Sequence, residues 1–300
     1  MFEMGEKVTA RSPVRTRFAP SPNGALHLGH AYAACRAHDL ARDLGGAFLL
    51  RIEDIDGVRS RPELVEAIFA DLGWLGLGWD GEVLFQSSRL AAYEAALTLL
   101  KARGLVYPCF CTRSQIAAAG AQPGPEGLVY PGTCRALDKA EREHRMASEA
   151  HAWRLDMARA IAEAGPLVWH DLQEGDQPAR PEVFGDVVLA RKDAPASYHL
   201  AVTLDDAHQR ISHVVRGADL FDATHVHRLL QALLDLPVPH YLHHALLAGP
   251  DGRKLAKSEG AAALAVLRDA GEDGPALLES LRKNHLAAGI SWVHASYSFP

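Results

Sequence analysis

Two rhythms of apolar and polar positions alternate along this chain. The stretch "AFLLRIEDID" at 47–56 begins as a continuous apolar run and ends in acids, the pattern of a strand buried on both faces whose carboxyl end reaches a polar crevice. Upstream, "VRTRFAP" reads as a first strand and "LHLGHAYAACRAHDLARDL" as a helix closed by Gly45 and Gly46. Downstream, "RPELVEAIFADLGWLG" reads as the next helix, with Pro62 near its first turn. The rhythm returns at "ASYHLAVTLDDA" and "ISHVVRGADL", which read as apolar, β-branched strands, and then at the helical "DATHVHRLLQALLDL". Strands alternating with helices predict an α/β fold with a doubly wound, Rossmann-like parallel sheet.

Between about 107 and 190 the pattern changes. This stretch holds the Gly/Pro-rich "AAAGAQPGPEGLVYPGTC" and the charged helical "LDKAEREHRMASEA", and it reads as a module inserted on the carboxyl-end side of the sheet. The expected organisation is a loose tail at 1–14, a first half of the α/β domain at 15–106, the insertion at 107–190, the second half at 191–258, and a helical segment at 259–300 too short for a further independent domain of usual size. The charged opening "MFEMGEKVTARSPV" lacks the apolar stretch of a signal peptide. No window approaches the ~20 apolar residues of a membrane-spanning helix. A cytoplasmic protein with no membrane partner is expected.

Composition adds limits. A chain of 300 residues that is 48% hydrophobic can bury a substantial core. Its net charge of −6 gives no general attraction for nucleic acid, so such a partner must be held by local clusters. Basic residues gather at Arg11, Arg15 and Arg17, at Arg191 and Lys192, at Arg253, Lys254 and Lys257, and at Arg282 and Lys283. Four cysteines are too few for a disulfide scaffold, and three of them lie between 109 and 134. That clustering points to a metal, whereas Cys35 on its helix reads as a small buried hydrophobe.

The candidate chemistry starts at "RFAPSPNGALHLGH", 17–30. A helix amino terminus exposes unpaired N–H groups and a partial positive charge, so it attracts phosphate. His27 and His30 add donors there, and Gly24 and Gly29 allow close approach. Such donors stabilise charge that develops during displacement at phosphorus, although a lone pair of histidines three apart also suits helix capping or metal binding. The second motif, "KLAKS" at 254–258, follows the turn "GPDGR" and sets Lys254, Lys257 and Ser258 on a loop where two ammonium groups can clamp a triphosphate.

With both motifs in this order, the sequence resembles the class I aminoacyl-tRNA synthetases. "HLGH" corresponds to their HIGH signature and "KLAKS" to their KMSKS loop, with Leu28 for the usual isoleucine and Ala256 for the first serine. "RFAPSPNGALHLGH", "RIEDID", "YHLAVTLDDA" and "HVVRGADL" look like the glutamyl branch. The resemblance implies that His27, His30 and Lys257 are catalytic, and that His27, Gly29, His30, Lys254, Lys257 and Ser258 bind ATP with Mg²⁺. It further implies that Arg17, Phe18, Ala19, Pro20, Ser21, Glu53, Tyr198 and Arg216 bind L-glutamate. The chemistry is consistent: arginines offer planar forks to two carboxylates, and Glu53 offers an anion to the α-ammonium.

Cys109, Cys111 and Cys134 suit a structural zinc ion, which prefers four ligands. On chemistry alone the fourth ligand is open among Tyr130, His144, His151 and a water, with a histidine favoured. The resemblance implies Tyr130, because the short glutamyl-Q tRNA(Asp) synthetases pair C-x-C with Y-x-x-x-C, as in "YPGTC" here. The absence of a large anticodon-binding region after the KLAKS loop implies the same branch. Its members transfer glutamate to queuosine in the anticodon of tRNA(Asp), and a monomer is expected. The rival readings are an enzyme that charges tRNA(Glu), disfavoured by the missing region, and a catalytically silent zinc-containing RNA-binding paralogue, disfavoured by the retained site residues.

Overall fold

A computed structural model of the chain describes residues 13–57, 59–249, 255, 263–285 and 290–293. The elements β1 (Arg15–Phe18), α1 (Leu28–Asp43), β2 (Ala47–Ile52), α2 (Pro62–Trp74), β3 (Leu84–Phe85), α3 (Leu90–Ala102) and β4 (Val106–Cys109) come first. The middle holds α4 (Arg113–Ala118), the short strands β5 (Pro123–Gly124) and β6 (Gly127–Leu128), α5 (Lys139–Met146), β7 (Ala152–Leu155), α6 (Met157–Ala164), β8 (Val168–Asp171), β9 (Gly175–Pro178) and β10 (Val188–Ala190). Then come α7 (Tyr198–His208), β11 (His213–Gly217), α8 (Ala223–Leu233), β12 (His240–His244), β13 (Leu246–Ala248), α9 (Leu264–Asp269), α10 (Gly274–Arg282) and β14 (Ser291–Val293).

Parallel pairing joins β1 to β2 and β2 to β3, and separately β11 to β12 and β12 to β8, with β9 antiparallel at the outer edge. The two sets meet at β1 and β11. There Ser212 N donates to Arg15 O at 3.0 Å and Arg15 N donates to Ser212 Oγ at 2.8 Å. The strand order therefore proceeds to either side of the β1–β11 junction, β2 and β3 on one side and β12 and β8 on the other, and the crevice beyond the carboxyl ends at such a junction is where these sheets bind ligands. Helix α1 lies across the junction because its inner face is small: Ala34, Cys35, Ala37 and Ala41 are fully buried, and Thr16 Oγ1 donates to Ala37 O at 2.7 Å.

Three differences from the sequence expectation are structural. First, "ASYHLAVTLDDA" is not a strand, since Tyr198–His208 is helical. Its apolar run is continuous because the helix is enclosed on most sides, with Leu200, Ala201, Val202, Thr203, Asp205 and Asp206 all buried, and a short enclosed run does not distinguish helix from strand. Second, strands from the expected insertion divide among three sheets: β4, β7 and β10 form an antiparallel sheet of their own, β5 and β6 form a two-stranded one, and β8 and β9 extend the β11–β12 sheet. Third, the 259–300 stretch is not wholly helical. Ser291–Val293 pairs antiparallel with Leu246–Ala248, as an aromatic and β-branched segment does beside an open strand edge.

Candidate active site

Helix α1 begins with a cap built from its own histidines. His27 Nδ1 accepts from Gly29 N at 3.1 Å, and His30 Nδ1 accepts from His27 N at 3.1 Å. Their rings lie 3.9 Å apart. An accepting Nδ1 carries no proton, so each neutral ring holds its proton on Nε2. The capping reading and the catalytic reading of this pair are thus compatible. Gly29 leaves room for the cap: a Cβ there would stand 3.0 Å from His27 Cε1, so the capping imidazole would have to shift by a few tenths of an ångström.

The two histidines open on a cleft of about 170 Å³, also lined by Gly217, Asp219, His244 and Leu255. Lys254, Lys257 and Ser258 lie outside the described residues. The residues that flank this part of the loop are placed, and they converge on the histidines. Leu255 N donates to Leu247 O at 2.8 Å, Leu264 N donates to Leu26 O at 2.8 Å, and His27 forms an isolated antiparallel bridge with Ala263.

A second pocket, of about 200 Å³, gathers Ser21, Asn23, Glu53, Gln86 and Tyr198. Phe18 packs in the main core beside it, Ala19 is half-buried, and Pro20 O accepts the Glu53 N–H at 3.0 Å, which fixes the end of β2 against this loop. The buried Glu53 carboxyl is pushed up to about 7, chiefly by loss of water, against the pull of Arg51 and Arg17.

The two arginines expected to bind glutamate differ in their surroundings. Arg17 Nε and Nη2 donate to the two carboxylate oxygens of Asp206 at 2.9 and 3.3 Å, and Arg51 pairs with the same carboxylate. Arg216 is 5% exposed and donates to neutral groups: Nε to His243 Nε2 at 3.1 Å, Nη1 to Tyr198 Oη at 3.3 Å and His227 Nδ1 at 3.2 Å, and Nη2 to Thr224 Oγ1 at 2.6 Å. No carboxylate pairs with Arg216 among the described residues. Behind it, Asp171 Oδ2 accepts from His243 Nδ1 at 2.7 Å, which leaves His243 Nε2 as an acceptor. Burial, and then the Arg216 charge, bring His243 down to about 4 despite Asp171. A buried cation without an anion is costly, and among the described residues only neutral acceptors hold this one.

Sequence reasoning missed Arg51, Asp171, Thr224, Asp206, His227 and His243. The signals present were "THVHR" and "HYLHH", whose histidines read individually as ordinary core residues.

The cysteine cluster sits where β4 ends. The thiol sulfurs of Cys109, Cys111 and Cys134 all lie within 4.8 Å of one another. Tyr130 Oη is 3.4 Å from Cys111 Sγ and accepts from Cys134 N at 2.8 Å. Phe110 N donates to Cys134 Sγ at 3.4 Å, a contact that favours a thiolate. Gly132, at φ 82°, turns the chain between Tyr130 and Cys134. Among the described residues no histidine or carboxylate joins this group; His151 Nδ1 instead meets Glu149 O. Three soft sulfurs and one phenol fit a closed four-ligand site.

Fold and site together define a nucleotide-dependent α/β enzyme with a helix-capping histidine pair and a cationic pocket at the switch point. The family described as "tRNA synthetases class I (E and Q), catalytic domain" matches residues 13–289. Among solved structures, the glutamate tRNA ligase from Elizabethkingia meningosepticum in complex with its amino acid is similar at TM-score 0.68 and 28% identity over 83% of this chain. The glutamate-tRNA synthetase from Elizabethkingia anophelis is similar at TM-score 0.69, also at 28% identity and over 83% of the chain. The chain spans about half the length of each, 53%. Among curated proteins, the glutamyl-Q tRNA(Asp) synthetase of Rhodobacter capsulatus is 50% identical over 271 residues, 85% of this chain and 95% of the relative. The protein of that name from Symbiobacterium thermophilum is 46% identical over 266 residues, 85% of this chain and 81% of the relative. The chain belongs to the glutamyl-Q tRNA(Asp) synthetase family, within the class I tRNA synthetases.

Proposed function

We propose that this protein activates L-glutamate with ATP and transfers the glutamyl group to queuosine in the anticodon of tRNA(Asp). The observation that carries the substrate class is Arg216, a buried guanidinium held by neutral acceptors and facing Tyr198 at the glutamate pocket. A substrate carboxylate supplies the missing anion, while Arg17, already matched by Asp206, shapes the pocket and adds field. Glu53 takes the α-ammonium once ionised.

In the first step a glutamate α-carboxylate oxygen attacks the α-phosphorus of ATP, the bond to the bridging oxygen breaks, and pyrophosphate leaves with Mg²⁺. The Nε2–H donors of His27 and His30, the α1 amino terminus and Lys257 stabilise the charge that builds on the α-phosphate, and Lys254 and Ser258 hold the triphosphate. In the second step a queuosine hydroxyl attacks the glutamyl carbonyl, loses its proton and releases AMP. The cleft of about 690 Å³ between the β5–β6 hairpin and Tyr198, lined by Arg113, Arg191 and Lys192, suits an unstacked nucleotide and its phosphates. Cys109, Cys111, Tyr130 and Cys134 would hold a structural zinc ion, which stiffens the wall of that cleft.

The test is transfer of [¹⁴C]glutamate with ATP to queuosine-containing tRNA(Asp), to the same tRNA without queuosine, and to tRNA(Glu). Label on the first alone is expected. Label on tRNA(Glu) makes the protein a charging enzyme instead, and no label with no pyrophosphate exchange makes it a silent RNA-binding paralogue.

A further inference from the structure

The Arg216 network extends beyond the glutamate pocket. Arg216 Nη1 lies 3.2 Å from His227 Nδ1, His227 Nε2 lies 3.2 Å from His199 Nδ1, and His199 Nε2 lies 2.9 Å from Glu126 Oε2. Both histidines are buried, at 3% and 5% exposure. Glu126 is at the tip of the β5–β6 hairpin, in the wall of the large cleft, with its side chain 47% exposed.

We propose that Glu126 is a positioning residue for Arg216, acting through His199 and His227, so that the cleft wall and the glutamate pocket share one hydrogen-bonded chain.

The directions of the bonds carry this. A guanidinium only donates, so His227 Nδ1 must accept and its proton must sit on Nε2. That proton needs an acceptor, which makes His199 Nδ1 a lone pair and puts the His199 proton on Nε2. A carboxylate only accepts, and Glu126 Oε2 is where that last proton points. The chain therefore runs from Arg216 to Glu126 in one sense. Without the anion at the hairpin, His199 is free to carry its proton on Nδ1. The chain then reverses, and His227 presents an N–H to the Arg216 N–H, turning an acceptor into a second donor. The reversal is felt at the inner end, where His227 is 3% exposed and water does not relieve an N–H facing an N–H.

The inference rests on the reading of Arg216 as the partner of a glutamate carboxylate, and two readouts separate them. In glutamate-dependent ATP–pyrophosphate exchange with the full chain, E126L and H199F are expected to raise the glutamate KM by roughly 2- to 30-fold, with the ATP KM and kcat little changed. The double variant should be no worse than either single one, and E126Q, which keeps an acceptor oxygen, should restore most of the loss. An unchanged glutamate KM in E126L, or E126Q as damaging as E126L, overturns the chain. Long-range ¹H–¹⁵N spectra of the histidine rings provide the second readout, with both His199 and His227 as Nε2–H tautomers in the wild type and that pattern lost in E126L. If the wild type shows no exchange, the substrate reading fails and the tautomers alone decide: any other tautomer at His199 or His227, or no change in E126L, overturns the proposal.

Discussion

Arg17 and Arg216 are both buried guanidinium groups, and what distinguishes them is the charge of their neighbours. Arg17 is matched by Asp206, so Arg17→Gln leaves Asp206 with Arg51 alone and should appear as lost stability, about 3 kcal/mol or less in urea denaturation. Arg216→Gln removes a charge-assisted contact to substrate and should raise the glutamate KM roughly 10- to 100-fold, read by pyrophosphate exchange. Glu53 supplies a pH dependence with a definite sign. Its carboxyl ionises at about 7 in the folded chain, against an ordinary value of 4.5. Between those values the folded state keeps a proton that the unfolded state releases, so stability falls as pH rises through this window. Attraction for an ammonium group moves the other way, because it needs the ionised form. The glutamate KM should fall as pH rises from 6 to 8, and Glu53→Gln should flatten both trends in melting and exchange measurements.

At the scale of elements, α1 and the cysteine-bearing loops show how local chemistry fixes a site. The histidine cap of α1 closes within three residues of its own start, so its geometry follows from "HLGH" with little help from the rest of the chain. The cysteine cluster draws on two loops, one after β4 and one held by the turn at Gly132. Protein purified without chelator is expected to carry about one zinc per chain by elemental analysis. Cys111→Ser should lose it, and Tyr130→Phe should weaken its retention against a competing chelator. Metal removal is expected to lower the melting temperature, since three thiols with no cation between them lose the ligand bonds that close the loops.

Over the whole molecule, helices α9 and α10, which follow the KLAKS loop, belong to the core. Leu264, Leu278 and Leu281 are buried in the same cluster as Leu50 and Leu72, and Arg282 pairs with Asp39 of α1 through two hydrogen bonds of 2.9 and 2.8 Å. Leu278→Ala should therefore cost about 2–5 kcal/mol in urea denaturation, where a solvated tail would show almost none. No helix among the described residues is long and apolar enough to cross a membrane. The sequence by itself determined the elements whose signals are local: the run "AFLLRIEDID" as a buried strand ending at the site, the capped start of α1, and the gathering of three cysteines between 109 and 134, whereas the approach of Tyr130 to the thiols is a tertiary contact. Capping, turn formation and periodic burial act over a few residues, and a string of letters records them. The tertiary structure decided that 198–208 is a helix, that β8 joins the sheet beside β12, and that Arg216 rather than Arg17 lacks an anion. Those outcomes depend on charge and packing brought together from distant parts of the chain, as Asp206 is to Arg17 and Glu126 is to His199. Neutralisation of a charge acts through space, and no pattern along the chain encodes which partner will arrive.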